Sequence, residues 1–292
     1  MTHTIELAQG WRDYTLIDSG NGEKLERWGN VTVIRPDPQA IWPRSKDVDW
    51  HADMLYHRSK SGGGHWEMLR GGIPAAWEIG YDNLRFHIRP TGFKHMGLFP
   101  EQAVNWRWMQ DKIRSAMNAK PSVKVLNLFA YTGGASVACL RAGAQVTHID
   151  AAKGMNQWAR DNAALSGLGN APFRVLTDDV MKFVAREIRR GNRYDAIVMD
   201  PPVFGRGPNN EMWKLEEKLF ELVTNCYRLL SDNPLFMLIN AYTAGYSPAV
   251  YGNVFSAVIP PARGEITTGE VGLQAQSGPI LPCGMYARVQ FA

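Results

Sequence analysis

NLFAYTGGAS, residues 127–136, is the stretch on which the fold turns. With the preceding VKVL it makes an apolar run that stops at the glycine pair Gly133-Gly134 and passes into a segment of helical composition. Glycine lets the backbone come close to a ligand or to a neighbouring helix, and the first amides of a helix have no partner within it. A glycine turn of this kind cradles a ligand or serves packing alone, and the ten residues by themselves leave both open.

Four further apolar runs follow the first, VKVLNLFA (123–130): AQVTHID (144–150), FRVLTDD (173–179), YDAIVMD (194–200) and PLFMLINAY (234–242). Segments of helical length separate them, and the alternation is carried to the end of the chain as an expectation. Strands alternating with helices predict βαβ units and a parallel sheet. From Glu211, Met212, Leu215, Leu219, Leu222, Cys226 and Leu229 recur at steps of three and four, which predicts a helix with one buried stripe. FPEQAVNWRWMQDKIRSAMNA (99–119) predicts another, with Trp106 and Trp108 packing on the sheet.

Upstream the chain has a different character. YTLIDSG (14–20), LERWGNVTVIRP (25–36) and WEIGYDNLRFHIRP (77–90) predict strands joined by turns such as SGNG at 19–22. SKSGGGHWE (59–67) is expected to be a surface loop. The fold class predicted is α/β: a Rossmann-like, doubly wound, mostly parallel sheet over residues 94–292, behind a small β-rich N-terminal domain over residues 1–93.

Composition excludes several classes. The 292 residues are 45% hydrophobic, ordinary for a globular protein with a sizeable core. No apolar stretch approaches the roughly 18 residues of a membrane span, and MTHTIELAQGWRDY lacks the pattern of a signal peptide. Three cysteines without CxxC spacing argue against a disulfide frame or a zinc site, so no metal and a cytoplasmic location are expected. A net charge of +4 permits a polyanionic partner without demanding one. His51, His57 and His65 lie in a polar stretch without metal-ligand companions. The cations Arg186, Arg189, Arg190 and Arg193 are expected at a solvated helix end, whereas Arg35, Arg44, Lys46, Arg58 and Lys60 would make a basic face on the small domain.

In an open parallel sheet the ligand lies beyond the carboxyl ends of the strands. The first strand ends in Ala130-Tyr131-Thr132-Gly133-Gly134, which matches neither GxGxxG nor GxxxxGK[ST]. The second ends in Asp150, 17 positions after Gly133 (150 − 133), close to the spacing of about 20 at which an acid accepts from ribose hydroxyls; an acid there also caps helices. The third ends in Asp178-Asp179, where an adenine amino group needs an acceptor. The fourth ends in Asp200-Pro201-Pro202-Val203-Phe204. Two prolines remove two amide donors and leave carbonyls as acceptors, so that a carboxylate, bare carbonyls and an aromatic face can hold a planar amine edge-on. Asp-Pro-Pro also makes a plain tight turn. The four ends in order point to S-adenosylmethionine and away from a dinucleotide dehydrogenase.

With these residues in place the chain resembles the class I S-adenosylmethionine-dependent methyltransferases, in the branch of large-subunit ribosomal RNA enzymes that modify cytosine C5 or guanine N7. Thr91-Gly92-Phe93, Asn127 to Gly134, Asp150, Asp178-Asp179-Val180, Asp200 to Phe204 and Gly284-Met285-Tyr286 carry the likeness, over residues 85–292. The resemblance implies that Tyr131, Thr132, Gly133 and Gly134 hold the methionine part of the cofactor, that Asp150 holds the ribose, and that Asp179, with Asp178 beside it, reads the adenine. Asp200, Pro201, Pro202 and Phe204 are then the catalytic clamp on the acceptor.

There are departures. The family's short Asp-Gln-Arg run after Thr-Gly-Phe is replaced by KHMGLFPEQ, in which Gln102 is the nearest match for a cofactor contact. The N-terminal part is too short for both accessory domains of fuller members. Where the C5 enzymes carry cysteine and then serine after strand five, this chain reads Ile239-Asn240-Ala241-Tyr242-Thr243. C5 chemistry needs a thiolate to activate the ring. Cys139 and Cys226 are expected in the core, and Cys283 near a strand that could face the site. The expectation is therefore methyl transfer to a base nitrogen of RNA, ribosomal RNA first. The alternatives are an RNA-binding or assembly protein that keeps the cofactor pocket without turnover, and a methyltransferase of a non-RNA acceptor.

Overall fold

The computed structural model describes residues 5–59, 62–242 and 245–292. The chain forms two compact units. One comprises Ile5–Val104 and Val271–Cys283; the other comprises Asn105–Glu270 and Gly284–Ala292.

The β-rich unit holds β1 (Ile5–Leu7), β2 (Tyr14–Gly20), β3 (Glu23–Trp28), β4 (Val31–Pro36), β5 (Met54–Arg58), β6 (Gly64–Met68), β7 (Trp77–Tyr81) and β8 (Leu84–Ile88). Five of them form a sheet in the order β2-β3-β4-β5-β6, and β7 and β8 pair as a separate hairpin. β2 and β3 are joined by Asn21 (φ 53°) and Gly22 (φ 79°). Two left-handed residues in a two-residue loop match the twist of the flanking strands, which is why Asn-Gly stands there. The stretch read as a surface loop at 59–67 is in part β6, with His65 opposite His57; Lys60 and Ser61 lie outside the described residues. Glycines at 62–64 hid the alternation of GHWEM.

The expected basic face of this unit is reduced by pairing. Arg35 is buried and bonded to the buried Glu26, while Arg44 pairs with Glu23 and lies over Trp50 at 3.8 Å. Arg58 and Lys46 are exposed, and Lys60 is not among the described residues.

The α/β unit opens on α1 (Ala103–Met117), whose first two residues belong to the other unit, and continues with β9 (Lys124–Leu128), α2 (Gly134–Arg141), β10 (Gln145–Asp150), α3 (Lys153–Leu165), β11 (Phe173–Thr177), α4 (Val180–Arg189) and β12 (Ala196–Met199). Then come β13 (Phe204–Arg206), β14 (Met212–Lys214), α5 (Leu215–Arg228), β15 (Phe236–Ala241), α6 (Pro248–Val258), β16 (Gly264–Gln274) and β17 (Ile280–Phe291). β16 and β17 each have one end in each unit.

The largest sheet has the order β1-β16-β17-β15-β12-β9-β10-β11. β15, β12, β9, β10 and β11 are mutually parallel, and β17 runs antiparallel on β15. Strand order reverses between β9 and β12, which opens a crevice beyond their carboxyl ends. Leu126, Leu128, Ile197, Met199, Met237 and Ile239 are fully buried in the sheet, as expected for strands covered on both faces.

Two expectations are corrected. Alternation of strand and helix does not continue to the end: the chain closes with the long strands β16 and β17. The helix expected from Glu211 begins at Leu215, because residues 204–214 are an antiparallel ribbon, β13 with β14. Met212 belongs to that ribbon and is 53% exposed, whereas Leu215, Leu219, Leu222, Cys226 and Leu229 form the buried stripe. Among the described residues no helix is long and apolar enough to cross a membrane.

Candidate active site

The glycine turn follows β9 and the Asp-Pro-Pro segment follows β12, so the two flank the point where the strand order reverses. Phe129 (φ 54°), Tyr131 (φ 50°) and Gly133 (φ 85°) are all left-handed. For two bulky aromatic residues this backbone is strained, and such strain persists only where the surroundings enforce it.

The enforcing contacts are visible. The amide of Ala130 donates to the carbonyl of Ile149 at 3.0 Å, and Gly133 N donates to Ala130 O at 3.0 Å. The amide of Tyr131 donates to Oδ2 of Asp150 at 2.8 Å. Nδ2 of Asn162, on α3, donates to the carbonyl of Thr132 at 2.9 Å, and both residues are buried. A Cβ added at Gly133 would lie 2.8 Å from Cβ of Ala159, so glycine here lets α3 pack against the turn.

Asp150 ends β10. Besides Tyr131 N on Oδ2, its Oδ1 accepts from Ala152 N at 2.9 Å. Burial raises its pKa, and the two amides act in the opposite direction. Each oxygen keeps acceptor capacity beyond its single amide. Asn156 Nδ2 ties the region together by donating to the carbonyl of Asp150 at 3.1 Å and to Oγ1 of Thr177 at 2.8 Å. Beneath the turn, Asn127 Nδ2 donates to Ser136 Oγ and Ser136 Oγ meets Nδ1 of His148, each at 2.9 Å. Burial lowers the His148 pKa to about 3, so the ring is neutral.

The acids after β11 differ in what they touch. Asp179 caps α4, accepting from Lys182 N at 2.9 Å, while Asp178 accepts from Asp179 N at 2.9 Å and pairs with Arg186. After β12, Asp200 N donates to the carbonyl of Leu128 at 3.3 Å. Pro201 is buried, Pro202 is exposed, and Phe204 is 52% exposed. Of the two proline carbonyls expected to be bare, that of Pro202 is taken: Nε1 of Trp213 donates to it at 2.7 Å. Gln102 lies in the β-rich unit, buried in a 3-10 turn, Pro100–Gln102, that leads into α1.

The three thiols are protonated at neutral pH. Cys139 is buried on α2, where desolvation pushes its pKa up to about 12, and Cys226 is buried on α5 and raised for the same reason. Cys283 donates to the carbonyl of Leu281 at 3.3 Å, and burial raises it well above the ordinary thiol value. Ala241 ends β15, buried; Thr243 is not among the described residues. Among the described residues no group of three or more His, Cys, Asp or Glu side chains is placed to hold a metal. His51 is paired with Asp49, and His57 with Glu67. Of the cations near the end of α4, Arg186 and Arg190 pair with Asp178 and Glu187.

Asn156, Asn162, His148 and Trp213 were not singled out from sequence, and Asn127 and Ser136 entered only as part of the first-strand motif. Buried asparagines within a helix are the one signal available, since asparagine is a poor helix former without a tertiary partner.

A glycine turn strapped to a strand-end acid, beside the reversal of strand order, defines an adenosyl-cofactor enzyme of the Rossmann-like class. The chain belongs to the S-adenosylmethionine-dependent methyltransferase family, whose model matches residues 12–232. It is similar to the solved SAM-dependent methyltransferase from Agrobacterium tumefaciens, at 36% identity and a TM-score of 0.93 over 99% of this chain and 94% of that one. A methyltransferase solved with SAH, SMU.776, shares the fold at 17% identity and a TM-score of 0.73, over 96% of this chain and 76% of its own. Among curated relatives, the ribosomal RNA large subunit methyltransferase K/L of Shewanella frigidimarina is 32% identical over 151 residues. That match takes in 51% of this chain and only 20% of the relative's length. The residues present fit the cofactor: each Asp150 oxygen accepts one amide and keeps the acceptor capacity that ribose hydroxyls would need.

Proposed function

We propose that this protein methylates a base nitrogen in RNA, with ribosomal RNA as the substrate, by direct transfer. Support for the acceptor class comes from the curated relatives named for ribosomal RNA. The single observation that carries the nitrogen assignment is the segment after β12. It sets a carboxylate, Asp200, and an exposed ring, Phe204, within five residues, while Cys139 and Cys226 are buried in the core and the half-buried Cys283 has its pKa raised by desolvation.

S-adenosylmethionine supplies a methyl group on a positively charged sulfur. Tyr131, Thr132, Gly133 and Gly134 would hold its methionine part, Asp150 its ribose, and Asp179 with Asp178 its adenine; Gln102 is assigned a cofactor contact. Asp200 would accept a hydrogen bond from the acceptor nitrogen, offset the positive charge that grows there as the methyl passes from sulfur to nitrogen, the C–S bond breaking as the C–N bond forms, and take the proton that leaves. Pro201 offers its carbonyl to the same edge, Pro202 holds the turn, and Phe204 stacks on the base. Alignment and a polar clamp are the protein's contribution to such a displacement. The residues of 1–93 would add substrate recognition ahead of the transferase domain at 94–292, in the cytoplasm.

The test is methyl transfer from labelled cofactor to ribosomal RNA taken from a strain lacking the gene, followed by mapping of the modified position. Asp200→Asn should lower turnover at least tenfold, on the order expected for loss of a charge-assisted contact made in the transition state, with cofactor affinity unchanged. Wild-type protein that binds cofactor but labels no RNA would leave the cofactor-binding assembly role or a non-RNA acceptor.

A further inference from the structure

The ribbon β13–β14 is fastened to the turn that precedes it by one side chain. Trp213 is 5% exposed, its Nε1 donates to the carbonyl of Pro202 at 2.7 Å, and its ring lies 4.7 Å from that of Phe129. Phe129 is the first left-handed residue of the glycine turn. One indole thus touches both the acceptor segment and the segment assigned to the cofactor.

The proline rings fix φ at 201 and 202. What stays adjustable is the direction of each carbonyl. The start of the segment is held by Asp200 N on Leu128 O at 3.3 Å, and its end by Leu215 N on Val203 O at 3.0 Å. Between these points, the indole bond is the contact that sets the Pro202 carbonyl. The ribbon itself is anchored to α4, because Glu211 accepts from Lys182 Nζ at 2.6 Å and Lys182 N is capped by Asp179.

We propose that Trp213 is a positioning residue: by fixing the Pro202 carbonyl against Phe129 it sets the aim of the Asp200 carboxylate and of the Phe204 ring at the acceptor. The proposal rests on the reading of Asp200 to Phe204 as the acceptor clamp. It accounts for an indole where a phenyl ring would fill the same core, since only the indole carries a donor. It also accounts for Phe204 standing exposed at the first residue of the ribbon, opposite Lys214, on a backbone that is paired rather than loose.

The test is Trp213→Phe, which keeps an aromatic ring against Phe129 and removes the N–H. The variant should fold and bind S-adenosylmethionine as the wild type does in calorimetry. Its kcat on RNA should fall about fivefold, the usual effect of one hydrogen bond. Amide exchange should accelerate at Leu215 and in the ribbon, while the amides of Tyr131 and Ala152 keep their protection. An unchanged kcat, or unchanged exchange in the ribbon, overturns the proposal, including the case in which only the melting temperature drops. If wild-type protein labels no RNA, the proposed function has failed; kcat is then compared on whichever acceptor the wild type does label, an unchanged value there overturns the positioning role, and with no acceptor labelled the positioning role fails too.

Discussion

Tyr131, at φ 50°, donates its amide to Oδ2 of Asp150 at 2.8 Å, so the acid that ends β10 is also the strap that holds the glycine turn after β9 in its left-handed form. One carboxylate shapes the turn and, in the proposed function, would also offer its remaining acceptor capacity to the cofactor.

Asp150→Asn should separate these roles. The amide oxygen can replace one acceptor, so the fold is expected to survive. Affinity for S-adenosylmethionine should fall roughly ten- to a hundredfold, equivalent to about 1.5–3 kcal/mol for a charge-assisted hydrogen bond. Because burial raises the Asp150 pKa, wild-type affinity should weaken as pH falls from above the ordinary carboxylate range, and the variant should lack that dependence. Calorimetry across pH checks both. Equal affinity in wild type and variant would take Asp150 out of the site.

Gly133→Ala should be costly twice over. The residue must be left-handed (φ 85°), and the new methyl would sit 2.8 Å from Cβ of Ala159. The backbone penalty is about 1–2 kcal/mol and overpacking adds about 1–3. Adding Ala159→Gly should recover the packing part and leave the backbone part, which a double-mutant cycle of thermal melts would resolve. A variant that melts with the wild type would mean the turn relaxes freely.

Acid sensitivity should be centred on the β-rich unit. Burial opposes ionisation of Glu26, but the charges of Arg35 and Lys24 and the hydrogen bonds from Arg35 and Tyr14 outweigh it, holding the carboxyl at about 2 against an ordinary 4.5. A carboxyl depressed by folding contributes stability that is complete above the unfolded value and is lost as pH falls through the folded one. Denaturation curves should therefore show this contribution disappearing between pH 4.5 and about 2. Glu26→Gln should remove that pH dependence and, by leaving Arg35 buried without its counter-charge, destabilise by about 3–5 kcal/mol. Identical acid titrations for wild type and variant would contradict it.

The strands of the α/β unit were legible because each is a short apolar run ending in a polar or glycine signal, and the structure puts β9, β10, β11, β12 and β15 where those runs stand. The ribbon at 204–214 was not, because Met212 falls on the same helical spacing as Leu215 and Leu219, and periodicity cannot see that three residues pair with Phe204–Arg206 instead. The strand ends announced Asp150 and Asp200, since acids at those places have a local signature. What supports them was hidden for a different reason. Asn156, Asn162 and Trp213 act across sequence separations that no short motif records, and a buried donor looks like any other core residue until its acceptor is located.

Chemistry at cytosine C5 and at nitrogen make opposite demands on the cysteines. A C5 enzyme needs one thiolate bonded to the ring during transfer, whereas displacement at nitrogen needs none. Desolvation raises the pKa of Cys139, Cys226 and Cys283, and the first two are packed in the core. Replacing all three by alanine should leave a folded protein with an unchanged kcat, at a cost of about 1 kcal/mol for each core position from the small cavity left behind. Each substitution should also be made singly, with melts confirming that the assay temperature lies below the transition. A Cys283→Ser protein that folds, binds cofactor and transfers no methyl would overturn the nitrogen assignment. In that case RNA carrying a fluorinated cytosine should trap a stable adduct with wild-type enzyme, and the trapped position would identify the C5 target.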